Sequence, residues 1–197
     1  MIKIYTDGSA TKTRAGWGFL CIVDDVNVDS DAGHFSEGTN QAMELMAIAN
    51  ACMWAENSIY YFEGHDVTIY SDSAYAINCY AEKWFKSWQN NNWNNSKGAP
   101  VANKGLWERL IPYFNNPRFM FEKVKGHSGH TYNDIADKLA TGSKAPCDNL
   151  TTCNKSDTIT IELSQILLDL ITRTVSKQET IKQILSIMKR EGVVLHG

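Results

Sequence analysis

No apolar run in this chain approaches the ~20 residues needed to cross a bilayer, and no basic N-terminal segment leads into an apolar stretch. Neither a membrane-spanning helix nor a secretory leader is expected. Cysteine is too sparse and irregular for a disulfide framework. Cys21, Cys52, Cys79, Cys147 and Cys153 are odd in number, and the last two lack the C-x-x-C spacing and nearby histidine of a structural zinc site. Three of the five lie in apolar patterns, where cysteine behaves as a small hydrophobe. The expectation is a reduced, intracellular and cytoplasmic protein. Positive charge is short as well, with 19 Lys and Arg against 22 Asp and Glu, a net charge of −3. That balance ordinarily argues against a nucleic-acid partner. The argument lapses if acids are gathered to hold divalent cations, because the bound ions reverse the local field. There is no repeat at solenoid spacing, and no low-complexity run beyond a short asparagine cluster at 90–92.

What is present is a globular composition, 43% hydrophobic and 21% charged over 197 residues, with room for one well-buried domain and an appendage. The opening run Ile2-Lys3-Ile4-Tyr5-Thr6 is β-branched and alternating, a strand that leaves through Asp7-Gly8-Ser9. By itself an Asp-Gly at a turn is a solvated cap. A second strand, Val67-Thr68-Ile69-Tyr70-Ser71, ends in the same way, in Asp72-Ser73. If the two strands are neighbours, Asp7 and Asp72 emerge side by side and repel unless a cation sits between them.

Between them, Gly16 to Val23 reads as a strand joined to the first by the loop Ala10 to Ala15. Asp24-Asp25 makes a turn, and a weaker edge strand is expected at about His34 to Ser36. Three strands in succession with short turns form an antiparallel meander. Thr39 or Asn40 then caps a helix carrying Met43, Met46, Ala47, Asn50, Ala51 and Trp54 on one stripe. Glu44 lies near its start among apolar Met43, Leu45 and Met46, on a flank turned toward protein. A helix between strands makes a crossover, so the Val67 strand runs parallel to the first. A short helix at 74–80, a Trp-rich segment at 84–93, an amphipathic helix ending at Asn115-Asn116-Pro117 and a last strand at 119–124 follow. Lys125-Gly126-His127-Ser128-Gly129-His130 is a loop, and a helix from about Asn133 to Thr141 carries Asp137. Residues 143–157 read as a linker. Beyond them, residues 158–197 form a helical pair, with apolar stripes at Leu163, Ile166, Leu167, Leu170, Ile171 and at Ile181, Ile184, Leu185, Met188.

Asp7, Glu44, Asp72 and Asp137 thus sit at element ends. Hard oxygen ligands from scattered elements suit Mg²⁺, or Mn²⁺, each taking one or two carboxylates and keeping waters for a phosphate substrate. Two such ions about 3.5–4 Å apart can clamp the attacking and leaving oxygens of a phosphodiester.

Four segments in this order carry a resemblance: Tyr-Thr-Asp-Gly-Ser at 5–9, Thr-Asn-Gln-Ala-Met-Glu-Leu-Met-Ala at 39–47, Tyr-Ser-Asp-Ser-Ala-Tyr at 70–75, and Val-Lys-Gly-His-Ser-Gly-His at 124–130 with Asn133 and Asp137. Over roughly residues 1–142 the chain resembles type 1 ribonuclease H. The resemblance implies an α/β fold, a five-stranded mixed sheet with antiparallel strands 1–3 and parallel strands 4–5, flanked by helices. It implies endonucleolytic cleavage of the RNA strand of an RNA–DNA hybrid to 5′-phosphate products, with two Mg²⁺ held by Asp7, Glu44, Asp72 and Asp137. His127 matches a loop histidine that helps product leave or shuttles a proton. Asn40 and Gln41 match residues that touch the minor groove and 2′-hydroxyls, the groups that separate RNA from DNA; from pattern alone Asn40 is equally a helix cap. Gly8 and Ser9 would offer backbone N–H groups to phosphate or sugar.

Trp84 and Trp88 match a protruding handle whose tryptophans frame a groove for the DNA strand, although i, i+4 tryptophans also simply pack. Here the chain departs from the family. Gln89-Asn90-Asn91-Asn92 carries no charge, which leaves Lys83, Lys86, Lys97 and Lys104 as the local cations. Ala42 stands where many relatives have Arg, and the loop at 10–15 is short and free of proline. Weak, modestly salt-dependent binding is therefore expected. The C-terminal pair, outside the resemblance, is a docked cap, a homodimer surface or a contact for a replication protein. Two other functions stay open: a catalytically silent hybrid-binding module, and another nuclease or strand transferase on the same fold.

Overall fold

The computed structural model describes residues 1–125 and 131–143. The expected linker, the helical pair at 158–197 and the loop residue His127 lie outside them. Five strands, β1 Ile2–Ala10, β2 Ala15–Val23, β3 Val26–Phe35, β4 Val67–Ser71 and β5 Phe119–Lys123, form one sheet in the order β3-β2-β1-β4-β5. The β1–β2 and β2–β3 pairs are antiparallel, and β1–β4 and β4–β5 are parallel. This is the mixed sheet expected from the sequence.

Two strand limits differ from expectation, each for a visible reason. β1 does not end at Thr6 but continues to Ala10, because its ladder with β2 runs on through Asp7↔Gly18 to Ala10↔Ala15 after the ladder with β4 has stopped at Thr6↔Ser71. Asp7 is therefore inside a strand, at the point where one of its two neighbours leaves. β3 is far longer than the expected 34–36. Its half-exposed Asn27 and Ser30 and exposed Asp29 and Asp31 hide the apolar alternation of an edge strand. The β2–β3 turn is as tight as expected, with φ of 49° at Asp24 and 64° at Asp25, both left-handed as a two-residue hairpin requires.

Helix α1 (Asn40–Asn57) supplies the crossover between β3 and β4. Thr39 is its N-cap, its hydroxyl accepting from the Ala42 N–H at 3.2 Å. The buried residues of α1 include Leu45, Ile48, Ala49, Cys52 and Ala55 as well as Met43, Ala47 and Ala51. They cover more of the helix than the expected stripe, whose Met46, Asn50 and Trp54 are only half-buried. Trp54 instead donates its indole N–H to Asp29 at 2.5 Å, tying α1 to the sheet edge. The short α2 (Ile59–Phe62), then α3 (Ala74–Glu82), α4 (Trp84–Asn90) and α5 (Lys104–Phe114) follow.

The main core joins Ile2, Ile4, Phe19 and Ile69 of the sheet to Leu45 and Ile48 of α1, Phe85 and Trp88 of α4, and Trp107 and Leu110 of α5. A smaller core on the opposite face packs Tyr5, Leu20 and Ile22 against Ala136 of α6 (Thr131–Thr141). Tyr5 stacks on Tyr70 there, ring centroids 4.8 Å apart. Both faces of β1 and β2 are thus covered, and every residue of β2 is buried. Cys21, Cys52 and Cys79 are buried and free, the small-hydrophobe role expected of them.

Candidate active site

The site grows from one step in the sheet. β1 and β4 run parallel in the register Ile4↔Ile69, Tyr5↔Tyr70, Thr6↔Ser71, so the next residue on each chain, Asp7 and Asp72, leaves the pair together. Thr6 seals the end of that pair by donating its hydroxyl to Tyr70 O at 3.1 Å.

Glu44 arrives from the first turns of α1, and Gly8 sets how closely. A Cβ at Gly8 would fall onto the backbone of Met43 and Glu44, so only glycine lets the helix start rest against β1 beside Asp7. Asp137 arrives from the opposite face on α6. A Cβ at Gly18, the β2 partner of Asp7, would stand 2.8 Å from Ala140 N and 2.5 Å from the Leu139 side chain. Two glycines facing opposite layers therefore draw both helices onto the strand that holds Asp7.

Electrostatics report the convergence. Asp7 is 8% exposed. Burial, then the neighbouring Asp72 carboxylate, with smaller contributions from Asp137 and Glu44, push its pKa from 3.8 up to about 7. The Gly8 N–H, donating to Asp7 Oδ1 at 2.6 Å, opposes the shift without cancelling it. Glu44 is raised too, by burial foremost and then by Asp72, against a hydroxyl donated from Ser73. Among the described residues, no three of these groups close into a ready-made ligand cage. Asp7 and Glu44 each keep a local hydrogen bond, and a cation is what would draw the acids together. An all-oxygen set, anionic and half-buried, fits hard divalent ions such as Mg²⁺ or Mn²⁺.

Ser73 was not singled out from the sequence. It is 4% exposed, donates to Glu44 Oε2 at 2.6 Å and accepts from the Ala76 N–H at 3.3 Å as the N-cap of α3. One hydroxyl thus starts a helix and aims a carboxylate. The available signal was a serine three residues before Ala76 at a strand-to-helix junction, the pattern of a cap.

The remaining predicted residues divide. Asn40 is not the helix cap, because Thr39 takes that position. Its Oδ1 accepts from the Ala10 N–H at 2.6 Å, which pins α1 to the end of β1 and leaves the side-chain NH₂ as its outward donor. Gln41 is exposed beside it. Ser9 lies two residues beyond Asp7 on β1. The Gly8 N–H, expected to serve phosphate, is spent on Asp7, because that carboxylate is its immediate neighbour. Trp84 and Trp88 border a cleft of about 470 Å³ with Tyr75, Ser87, Asn95 and Ser96. Trp88 is only 7% exposed and packs edge-on against Trp107 at 5.2 Å, so it packs in the core while still bordering the cleft. Trp84 stays half-exposed, its indole N–H donated to Glu82 at 2.8 Å.

A family model described as RNase H matches residues 1–144. The chain belongs to the ribonuclease H family. Among the ribonucleases H it resembles, that of Syntrophomonas wolfei is 43% identical over 141 residues, which are 71% of this chain and 92% of that protein. That of a Thermoanaerobacter species is 34% identical over 142 residues, 72% and 88% of the two chains. The solution structure of the PFV RNase H domain shares the fold, with a TM-score of 0.58 at 24% identity over 72% of this chain and 92% of that one. The ribonuclease H match stops where the described residues stop, near residue 143.

Proposed function

We propose that residues 1–142 form a divalent-metal-dependent endonuclease that hydrolyses the RNA strand of RNA–DNA hybrids and leaves 5′-phosphate ends. The observation that carries this reading is Asp7. A carboxylate buried to 8% exposure and pushed to about 7 by its acidic neighbours costs stability, and a fold keeps such a cost where a cation is to be held. Family membership supplies the reaction class.

Asp7, Glu44, Asp72 and Asp137 would hold the ions, two of them when a substrate phosphate adds its oxygens. Bound there, the ions would supply Lewis acidity and a water made acidic enough to deprotonate near neutral pH. The chain's own residues do the rest. Ser73 donates to Glu44 and the Gly8 N–H to Asp7, so both carboxylates carry an orienting hydrogen bond before substrate arrives. Asn40, its oxygen committed to Ala10, turns its NH₂ donor outward beside Gln41 to read minor-groove acceptors and 2′-hydroxyls. Trp84 and its cleft receive the DNA strand. The oxygen of water bonds to phosphorus as the P–O3′ bond breaks, and the proton goes to the departing 3′-oxygen. His127 is the candidate to pass it.

The test is cleavage of a labelled RNA strand in a hybrid, compared with duplex DNA and duplex RNA, in Mg²⁺ or EDTA, by wild type and Asp7→Asn. Hybrid-only cutting that needs metal and Asp7 is expected. Folded protein that binds hybrid but does not cut it in Mg²⁺ or Mn²⁺ would be a binding module instead.

A further inference from the structure

A cleft of about 270 Å³ opens between the loop at Thr11–Arg14 and the C-terminal end of α6, bordered by Ser9, Thr11, Arg14, Thr141 and Ser143. Its first wall residue, Ser9, is two residues from Asp7 along β1. That is about 7 Å of strand, the axial rise of roughly two nucleotides. Arg14 is exposed and makes no ion pair among the described residues. Its guanidinium lies over Gly142, where a Cβ would strike Nη2, so the backbone leaves room for this side chain at the cleft. The one proton of the Thr141 hydroxyl serves the α6 carbonyls of Asp137 and Lys138, at 2.9 and 3.2 Å, so the 3.1 Å contact between the Thr141 and Ser143 hydroxyls engages the Ser143 proton. The Ser9 hydroxyl and the guanidinium of Arg14 are the donors left along the cleft. One guanidinium and one hydroxyl in a cleft suit a tetrahedral oxyanion.

The handle side carries Lys83, Lys86, Lys97 and Lys104 as its cations. Lys104, on the handle side, is held by Glu108 at 3.6 Å and lies over the Trp93 ring at 5.3 Å, and Gln89 to Asn92 carry no charge. We infer that the Arg14 cleft holds a backbone phosphodiester of the substrate about two nucleotides from the cleaved bond, and that it moves part of the electrostatic grip from the handle to the β1–β2 loop. This rests on the hybrid-cleaving reading above.

The competing role for Arg14 is a plain cap on the α6 C-terminus, whose dipole favours a cation. Binding against salt separates the two. A labelled hybrid is titrated in Mg²⁺ with protein in which Asp72→Asn blocks cutting, with and without Arg14→Gln, from 50 to 300 mM NaCl. Loss of one phosphate contact lowers the log–log salt slope by about 0.7–0.9 and weakens binding about fivefold near 0.1 M salt, and Arg14→Lys restores most of the slope. An unchanged slope with a lowered Tm makes Arg14 a cap and overturns the inference. An unchanged slope with an unchanged Tm overturns it as well. If the protein with native Arg14 binds no hybrid, the functional reading itself fails and takes this inference with it.

Discussion

Replacing Asp7 by Asn should make the metal-free protein more stable while removing its function. The native carboxylate titrates near 7 rather than 3.8. A difference of about three units corresponds to about 4 kcal/mol, at 1.36 kcal/mol per unit. The sign follows from linkage: an acid whose folded pKa is raised binds its proton more tightly in the folded state. The penalty is absent below about pH 3.8, grows as pH rises toward 7, and is constant above it. Asparagine keeps the oxygen that accepts from the Gly8 N–H at 2.6 Å and cannot ionise. In EDTA at pH 8, Asp7→Asn should therefore exceed wild type by about 1–4 kcal/mol in urea unfolding, since neighbouring acids relax in part in either protein. At about 2–4 °C per kcal/mol for a chain of this size, Tm rises by roughly 3 °C or more. The gap should close as pH falls to 4. Mg²⁺ should also narrow it by stabilising wild type alone. A variant no more stable than wild type at pH 8 in EDTA would refute the claim that Asp7 carries the convergence.

Substitutions at four positions test how the site is held. Gly8→Ala forces the α1 start away from β1; a stability loss of about 1–3 kcal/mol and a rate loss of about 10²-fold are expected, read by urea unfolding and hybrid cleavage. Ser73→Ala removes the donor to Glu44 and the α3 cap together, at a cost of about 1 kcal/mol. It should also raise the Mg²⁺ concentration for half-maximal activity, which Ser73→Thr should restore and which loss of a cap alone would not move. Trp88→Ala should cost about 3–5 kcal/mol as a core truncation, whereas Trp84→Ala should leave Tm within a few degrees and raise KM for the hybrid. Equal effects of the two on Tm would contradict their different burial.

The order of elements was legible, and the four acids could be proposed, because strand ends and helix starts carry local chemistry: β-branched runs, Asp followed by a small residue, a Thr-Asn cap. What could not be read depends on a third dimension. Gly8 reads as turn glycine in the chain and acts as a spacer for α1 in the fold. Ser73 reads as the small residue after Asp72, while its partner Glu44 lies 29 residues earlier. The long β3 was missed because an edge strand needs only half its residues apolar, and Asp29 to Asp31 mask that half. Trp88 illustrates the reverse case. Its spacing from Trp84 suits both a groove and a core, and only the fold shows it against Trp107, distant in sequence, as well as at the cleft.

The position of Asp7 inside β1, rather than at its end, bears on which parts of the site can vary. A carboxylate on a loop would relieve the repulsion from Asp72, Asp137 and Glu44 by moving, and its pKa would stay near 3.8. Asp7 cannot move, because its backbone is still laddered to Gly18 while the β4 side has already opened. The ladder thus holds the Asp7 backbone in place against that repulsion, and on the proposed function it would fix where cations sit. Contacts further out have no such anchor. The handle at 84–93 and the loop at 11–14 lie outside the sheet, so their charges can be exchanged without disturbing the acids. This chain has an uncharged run at 89–92 and, on the β1–β2 loop, an Arg14 that makes no ion pair among the described residues. Substitutions at the rim should accordingly act on KM and salt dependence, and substitutions on the β1 ladder on kcat and stability together.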